Sequence, residues 1–186
     1  MEIKQGFRWF YTSNGKLVLA GKNAEQNEQI VKQTNREDTV LHTKSPGSPF
    51  CILQGEVSDR DIREAAIFCA CFSQGWKKRK KEMEVHIFSG EQIIKANDMK
   101  TGTFGVVGKI KKMSVFLELW IGLQKGKLRA VPKSCLENPL IKIMPGKIEK
   151  RKTAEAVRKI LDEKFKISKT TEEIEQAMPA GGFRCW

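Results

Sequence analysis

Residues 7–32 leave the chain the least freedom. Phe7-Arg8-Trp9-Phe10-Tyr11-Thr12 is aromatic-rich and reads as a strand, Ser13-Asn14-Gly15 reads as a hairpin turn, and residues 16–20 return as a second strand. Gly21 ends that strand. Asn23 then offers a side-chain acceptor three residues before Gln26, a capping-box pair that opens a helix running to about Lys32. Strand, turn, strand, tight glycine turn and helix is therefore the order in which the fold begins.

The same periodicities continue. Residues 39–43 and 50–53 read as short apolar strands around the turn Lys44-Ser45-Pro46-Gly47-Ser48-Pro49. Ser58 caps a helix with Asp61 at its third position, and Ile62, Ala65, Ala66, Cys69 and Phe72 form one narrow apolar face before Gly75 stops it. Strands are expected at 84–89, 103–108, 114–121, 127–131 and 140–144. Thr153 is expected to cap a helix with Val157, Ile160, Leu161 and Phe165 as its apolar stripe. Thr170 with Glu173 is a capping box for a last short helix, ended by Pro179-Ala180-Gly181-Gly182. Strands and helices without regular alternation predict an α+β fold: a largely antiparallel sheet, a few packed helices and a helical C-terminal extension. The expected division is a body over 1–125 and a basic extension over 126–186 packed on the same domain.

With 186 residues the chain is one compact domain, large enough to bury a core without disulfides or structural metal. Five cysteines form no C-x-x-C pair and only two histidines, His42 and His86, stand by, so a zinc site is not expected. Cys69 and Cys71 read as small buried apolar residues. No apolar run long enough to span a membrane and no secretory leader is present, which gives a cytoplasmic reading. Charge is more informative. Thirty-four Lys and Arg against 22 Asp and Glu leave +12. The first sixty residues hold eight basic and seven acidic side chains, so the excess belongs to the remainder, with 26 against 15. Such a balance concentrates polyanions near the surface, nucleic acid foremost, although a lysine-rich surface also serves solubility or thermostability.

No catalytic constellation emerges from the spacing. Gly102-Thr103-Phe104-Gly105-Val106-Val107-Gly108 is G-x-x-G-x-x-G rather than a dinucleotide or P-loop pattern. His42 and His86 each sit in an expected strand, where a lone histidine is usually structural, and an enzyme reading survives only if His42 meets a cysteine or carboxylate in a cleft. The electrostatic case is stronger. Lys77, Lys78, Arg79, Lys80 and Lys81 follow the Gly75 stop, and Lys109, Lys111 and Lys112 occupy the turn after another strand, both suited to phosphates of a shared groove. A solvated face is the plainer alternative. Trp76 beside the first run either stacks on a base or completes the core. The helix start at Asn23 suits an anion through its free N–H groups and Lys22, while Glu25 and Glu28 already satisfy its dipole.

Phe7-Arg8-Trp9-Phe10, followed by Gly21-Lys22-Asn23-Ala24-Glu25-Gln26-Asn27-Glu28, resembles the F-R-W-F and G-R-D-A-x-Q-N-E signature of the NFACT-R domain, the RNA-binding domain of ribosome quality-control factors. Val40-Leu41-His42 with Pro46-Gly47-Ser48, Ala65-Ala66 with Ser73 and Trp76, Lys95 with Thr101-Gly102-Thr103-Phe104, and Gly108-Lys109 continue the resemblance in order over 7–112. Lys22 and Asn23 stand where the pattern has Arg and Asp. The resemblance implies nucleic-acid recognition without catalysis. The chain has no room for the family's N-terminal, helix-hairpin-helix and coiled-coil regions, so it resembles a stand-alone form, and C-terminal tailing is not carried over. The expected function is non-catalytic binding of tRNA or ribosomal RNA, without cofactor, metal or membrane. The expected contacts are Arg8, Lys22 and Lys95 with the runs 77–81 and 109–112, and 147–152 as an extension. The alternative is a DNA-binding or protein-interaction adaptor on the same fold.

Overall fold

The computed structural model describes residues 6–185. The opening segment folds as its pattern predicts: β1 (Arg8–Tyr11) and β2 (Leu17–Ala20) pair antiparallel, and α1 (Ala24–Lys32) follows. Asn23 caps α1 by accepting from the Gln26 amide at 2.9 Å. The Gln26 side chain reaches back one residue further than a capping box does, to the Lys22 amide at 2.9 Å. β3 (Thr39–Thr43), β4 (Cys51–Leu53), α2 (Asp59–Cys71), α3 (Gln74–Lys77) and β5 (Glu82–Ser89) come next. Ser58 and Asp61 form the expected capping box. Gly75 does not stop α2. The helix ends at Cys71, and Ser73 caps α3, which contains Gly75. A Cβ at Gly75 would meet the Met83 side chain at 2.8 Å, so the glycine serves a close approach rather than a stop.

Only two residues of the expected 103–108 strand are extended, β7 (Gly105–Val106), paired with β6 (Ile93–Ile94). The expected 114–121 strand is two strands, β8 (Lys111–Phe116) and β9 (Leu119–Gln124). The chain crosses between sheets at Leu117-Glu118, with no glycine or proline to signal it. β10 (Lys127–Val131), β11 (Ile141–Ile148), α4 (Lys150–Phe165), α5 (Thr171–Ala177) and β12 (Phe183–Cys185) complete the chain. Thr153 lies inside α4, buried with its hydroxyl unpartnered, because β11 runs almost directly into the helix at Lys150. Val157 and Leu161 are buried as expected, whereas Phe165 is exposed. The Thr170–Glu173 capping box is present. β12 has no forewarning in the sequence, since its three residues follow a turn that reads as an ending.

All pairings are antiparallel, in a six-stranded sheet of order β1-β2-β4-β3-β5-β8 and a four-stranded sheet of order β10-β9-β11-β12. The fold is thus α+β. α2 packs on β3, β5 and β8 and also touches β9. It is therefore buried over more than the narrow face its pattern suggests, Phe68, Cys69, Ala70 and Cys71 all lying inside. One continuous core runs from Phe10 through α2 and the second sheet to Phe183. A smaller core, with Trp9, Leu19, Ile30, Val40, Ile52 and Phe88, fills the opposite side of the large sheet beneath α1. Trp76 is fully buried against Phe183 and donates to the Gly182 carbonyl at 3.0 Å. Cys51, Cys69, Cys71 and Cys135 are buried free thiols. Among the described residues no helix is long and apolar enough to cross a membrane, and no three His, Cys, Asp or Glu are grouped to hold a metal ion.

Candidate nucleic-acid interface

The turn between β2 and α1 is built for close approach. A Cβ on Gly21 would collide with the Asn27 side chain, whose Oδ1 accepts from the Phe50 amide at 3.1 Å and so ties α1 to the chain entering β4. Against α1, Gly102 sits at φ +73°, and a Cβ there would come within 2.7 Å of the Ala24 Cα. Its amide donates to Glu28 Oε2 at 2.9 Å. Lys95 donates to the same oxygen at 3.0 Å and to the carbonyls of Lys100 at 2.8 Å and Thr103 at 3.0 Å, with its ammonium 4.7 Å from the Phe104 ring centre. The Gly102 and Lys95 hydrogen bonds hold Glu28 below the usual carboxylate range. Ala24 and Glu28 therefore lock the loop carrying Phe104 onto α1.

Between that loop, α1, the 44–50 turn and the start of α3 opens a cleft of about 610 Å³. Arg8, Lys22, Lys44 and Lys77 line it with His42 and His86, and no carboxylate is among its described lining residues. His42 and His86 are paired across β3 and β5, and Lys112 is paired with His86 on β8, so the three share one face. His42 Nδ1 lies 2.7 Å from the Thr43 carbonyl, and its ring is 4.5 Å from that of Phe50. Burial lowers its pKa, and the neighbouring His86 adds to the effect against the Thr43 hydrogen bond. His86 lies 3.0 Å from Glu84 Oε1. Among the described residues neither histidine is set against a nucleophile.

Arg8 and Lys22 also line a second cleft of about 370 Å³, shared with Trp9, Lys127, Arg129 and Lys169. The Arg8 guanidinium donates to the Gly21 carbonyl at 3.2 Å and lies 4.9 Å from the Phe72 ring centre. The Arg129 guanidinium stacks on Trp9 at 3.9 Å. Burial lowers the pKa of both arginines. Burial and then the charges of Arg8 and Arg129 do the same to Lys22, which lies within electrostatic reach of both. None of the three is ion-paired among the described residues.

Residues 6–108 match the NFACT protein RNA binding domain. The chain belongs to that family. It is 31% identical to the archaeal Rqc2 homolog aRqcH of Methanocaldococcus jannaschii over 95% of its own length and 28% of the relative's. It is 34% identical to the Rqc2 homolog RqcH of Bacillus subtilis over 50% of its length and 16% of that protein's. It thus spans well under half of these relatives. The C-terminal part of the fibronectin/fibrinogen-binding protein of Streptococcus suis shares the fold, with a TM-score of 0.56 and 21% identity over 61% of this chain and 46% of that one.

In this NFACT RNA-binding domain the residues singled out from sequence fall into three groups. Arg8, Lys22 and Lys77 meet at the larger cleft. Lys95 is occupied in holding the 95–104 loop. Lys78, Arg79, Lys80 and Lys81 are exposed at the start of β5, and Lys109, Lys111 and Lys112 are exposed towards its other end. The Leu117 amide bonds the Lys81 carbonyl while Lys111 pairs with Ile87, so the runs stand about 20 Å apart along the strand at roughly 3.3 Å per residue. Lys77 from one run lines the larger cleft, and Lys112 from the other is paired with His86, which lines it too. Within 147–152, Lys150 donates to the Met178 carbonyl at 3.1 Å and Arg151 pairs with Glu155, Glu172 and Glu175. Sequence reasoning does not reach Lys44, Lys127 or Arg129. The alternation in Lys127-Leu128-Arg129-Ala130 signals that Arg129 faces away from the core, but nothing local says that Trp9 receives it.

Proposed function

We propose that this chain is a non-catalytic RNA-binding protein that takes tRNA or ribosomal RNA on the basic surface around the larger cleft and serves ribosome quality control in the cytoplasm. The observation that carries the reading is a cleft lined by Arg8, Lys22, Lys44 and Lys77 and by no described carboxylate. A wall with that charge recruits phosphates. Family membership supports RNA as the polyanion, and the descriptions of its relatives as Rqc2 homologs support the setting. Supporting the absence of turnover, neither His42 nor His86 faces a nucleophile among the described residues, and the buried thiols Cys51 and Cys71 are held protonated by desolvation.

Lys77, Lys78, Arg79, Lys80, Lys81, Lys109, Lys111 and Lys112 extend this surface on either side, and none of them is ion-paired among the described residues. Fluorescence anisotropy with bulk tRNA, ribosomes and duplex DNA at two salt concentrations tests the proposal. RNA should bind more tightly than DNA, with log affinity falling against log salt by about 0.7 per phosphate contact on single-stranded segments. Changing 77–81 to glutamine should weaken RNA binding and flatten that slope. Equal weak binding to all three would reduce the surface to bare charge, and preferential DNA binding would favour the DNA adaptor.

A further inference from the structure

Arg8, Lys22 and Arg129 are a costly arrangement to maintain without a counter-anion. Arg8 Nε and Arg129 Nε are buried without a hydrogen-bond partner. A desolvated cation normally acquires a carboxylate, and Lys22, within reach of both arginines, adds repulsion. The one carboxylate among the described residues lining the smaller cleft, Glu173, is already held by Lys169 at 3.0 Å and the Thr170 amide at 2.9 Å. The partner these donors suit is an anion from outside the chain.

We propose that the ridge formed by Arg8, Lys22 and Arg129 seats a phosphodiester of a single RNA strand that passes from the larger cleft into the smaller one. The assignment rests on the RNA-binding reading and goes beyond it in naming the strand's form and path. Arg8, Lys22 and Phe72 line both clefts, so the two are continuous across the ridge. Their volumes, about 610 and 370 Å³, suit individual nucleotides. Rings back the cations: Phe104 lies under Lys95 and Phe72 under Arg8 at the larger cleft, and Trp9 lies under Arg129 at the smaller. The bases of a single strand are free to stack on ring-backed guanidinium planes, whereas a duplex keeps its base faces to itself and offers only its backbone. Arg129 comes from β10, beyond residues 6–108, so the second sheet completes the seat.

The test uses the full chain and a fluorescent, unstructured oligoribonucleotide of about 12 nucleotides, the same sequence annealed into a duplex, and polyglutamate as a competitor. The single strand should bind at least about tenfold more tightly than the duplex, and Lys22→Gln and Arg129→Gln should each weaken it by about tenfold, as expected for a charge-assisted contact. Arg129 also packs on Trp9, so its replacement risks the fold. Lys22→Gln guards against that: relief of repulsion should leave its unliganded melting temperature unchanged or higher while binding falls. Equal affinity for the duplex, polyglutamate displacing RNA charge for charge, or Lys22→Gln losing stability together with binding would each overturn the inference. Tight RNA binding retained by both variants would overturn it while leaving the proposed function standing. Failure of the intact chain to bind any RNA would remove both.

Discussion

At its N-terminal end α2 buries two carboxylates, and both are fully engaged. Asp61 accepts from Thr12 Oγ1 at 2.5 Å, Ser58 Oγ at 2.6 Å and the Ser58 amide at 2.9 Å. Glu64 accepts from Ser134 Oγ at 2.6 Å and the Ser13 amide at 2.8 Å. At the other end of the helix its C-cap, Phe72, lies under Arg8, and there the buried charges are cations with N–H groups left over. Both ends suit the helix dipole, acid at the start and base at the finish. They differ in completion. The acidic end is closed on itself and holds β1, α2 and the Ser134 turn together, whereas the basic end keeps donors in reserve beside two open clefts.

The largest effect expected from that contrast is at Asp61. Replacing it by alanine strands the donors of Thr12 and Ser58 and should cost about 3 kcal/mol of stability in urea titrations, with RNA affinity unchanged where the variant is folded. Burial alone would raise the Asp61 pKa, but the Ser58, Thr12 and Asn14 hydrogen bonds outweigh it and hold the group at about 2. Because the folded value lies below the unfolded one, this stabilisation is complete above about pH 4 and disappears as pH falls through about 2. The difference between those limits is worth about 2 kcal/mol. A wild-type stability that stays flat between those pH values would show the acidic end to be less closed than its geometry.

Gly21→Ala tests the basic end through its scaffold. The φ of Gly21 lies outside the left-handed range, so the penalty is one of space: the new methyl strikes the Asn27 side chain and comes within 2.9 Å of the Asn27 amide. A cost of about 2 kcal/mol is expected in thermal or urea unfolding, as for overpacking elsewhere. Once Asn27 releases the Phe50 amide, the turn carrying Lys22 shifts, so RNA affinity should fall as well. Lost stability with unchanged RNA affinity would detach the motif from the cleft.

Much of this was legible in the sequence, for local reasons. Turns, caps and strand alternation are written within a few residues of where they act, which is why β1, β2, α1, the Ser58 and Thr170 capping boxes and the antiparallel class can be read directly. The break at Leu117-Glu118 is invisible because a change of sheet leaves the apolar pattern continuous. Thr153 misleads because a hydroxyl before an apolar stripe looks the same capping a helix as buried within one. At the cleft, Arg8, Lys22 and Lys77 stand out from a motif and a charge run rather than from any sign of their meeting. Arg129 lies 121 residues from Arg8, and only tertiary structure brings them together. Lys95 shows the converse: its place in the family pattern reflects loop architecture, with three oxygens already bound to its ammonium.

The smallest expected effect is at His42, where the open end should respond to protons. With Nδ1 donating to the Thr43 carbonyl at 2.7 Å, burial and the adjacent His86 keep the ring neutral below its ordinary pKa. In the free protein the depressed folded value means that stability falls as pH drops below about 6.5, because the unfolded chain takes up the proton first. A bound phosphate reverses the preference inside the cleft by stabilising imidazolium. RNA affinity at constant ionic strength should therefore rise about threefold to tenfold between about pH 7.5 and 5.5. His42→Gln should flatten that rise while leaving binding at about pH 7.5 intact. His86 is the internal control, since it already has Glu84 at 3.0 Å and the Lys112 strand beside it. If His42→Gln leaves the pH response as it is in the wild type, the proton is taken up elsewhere and His42 is only part of the wall.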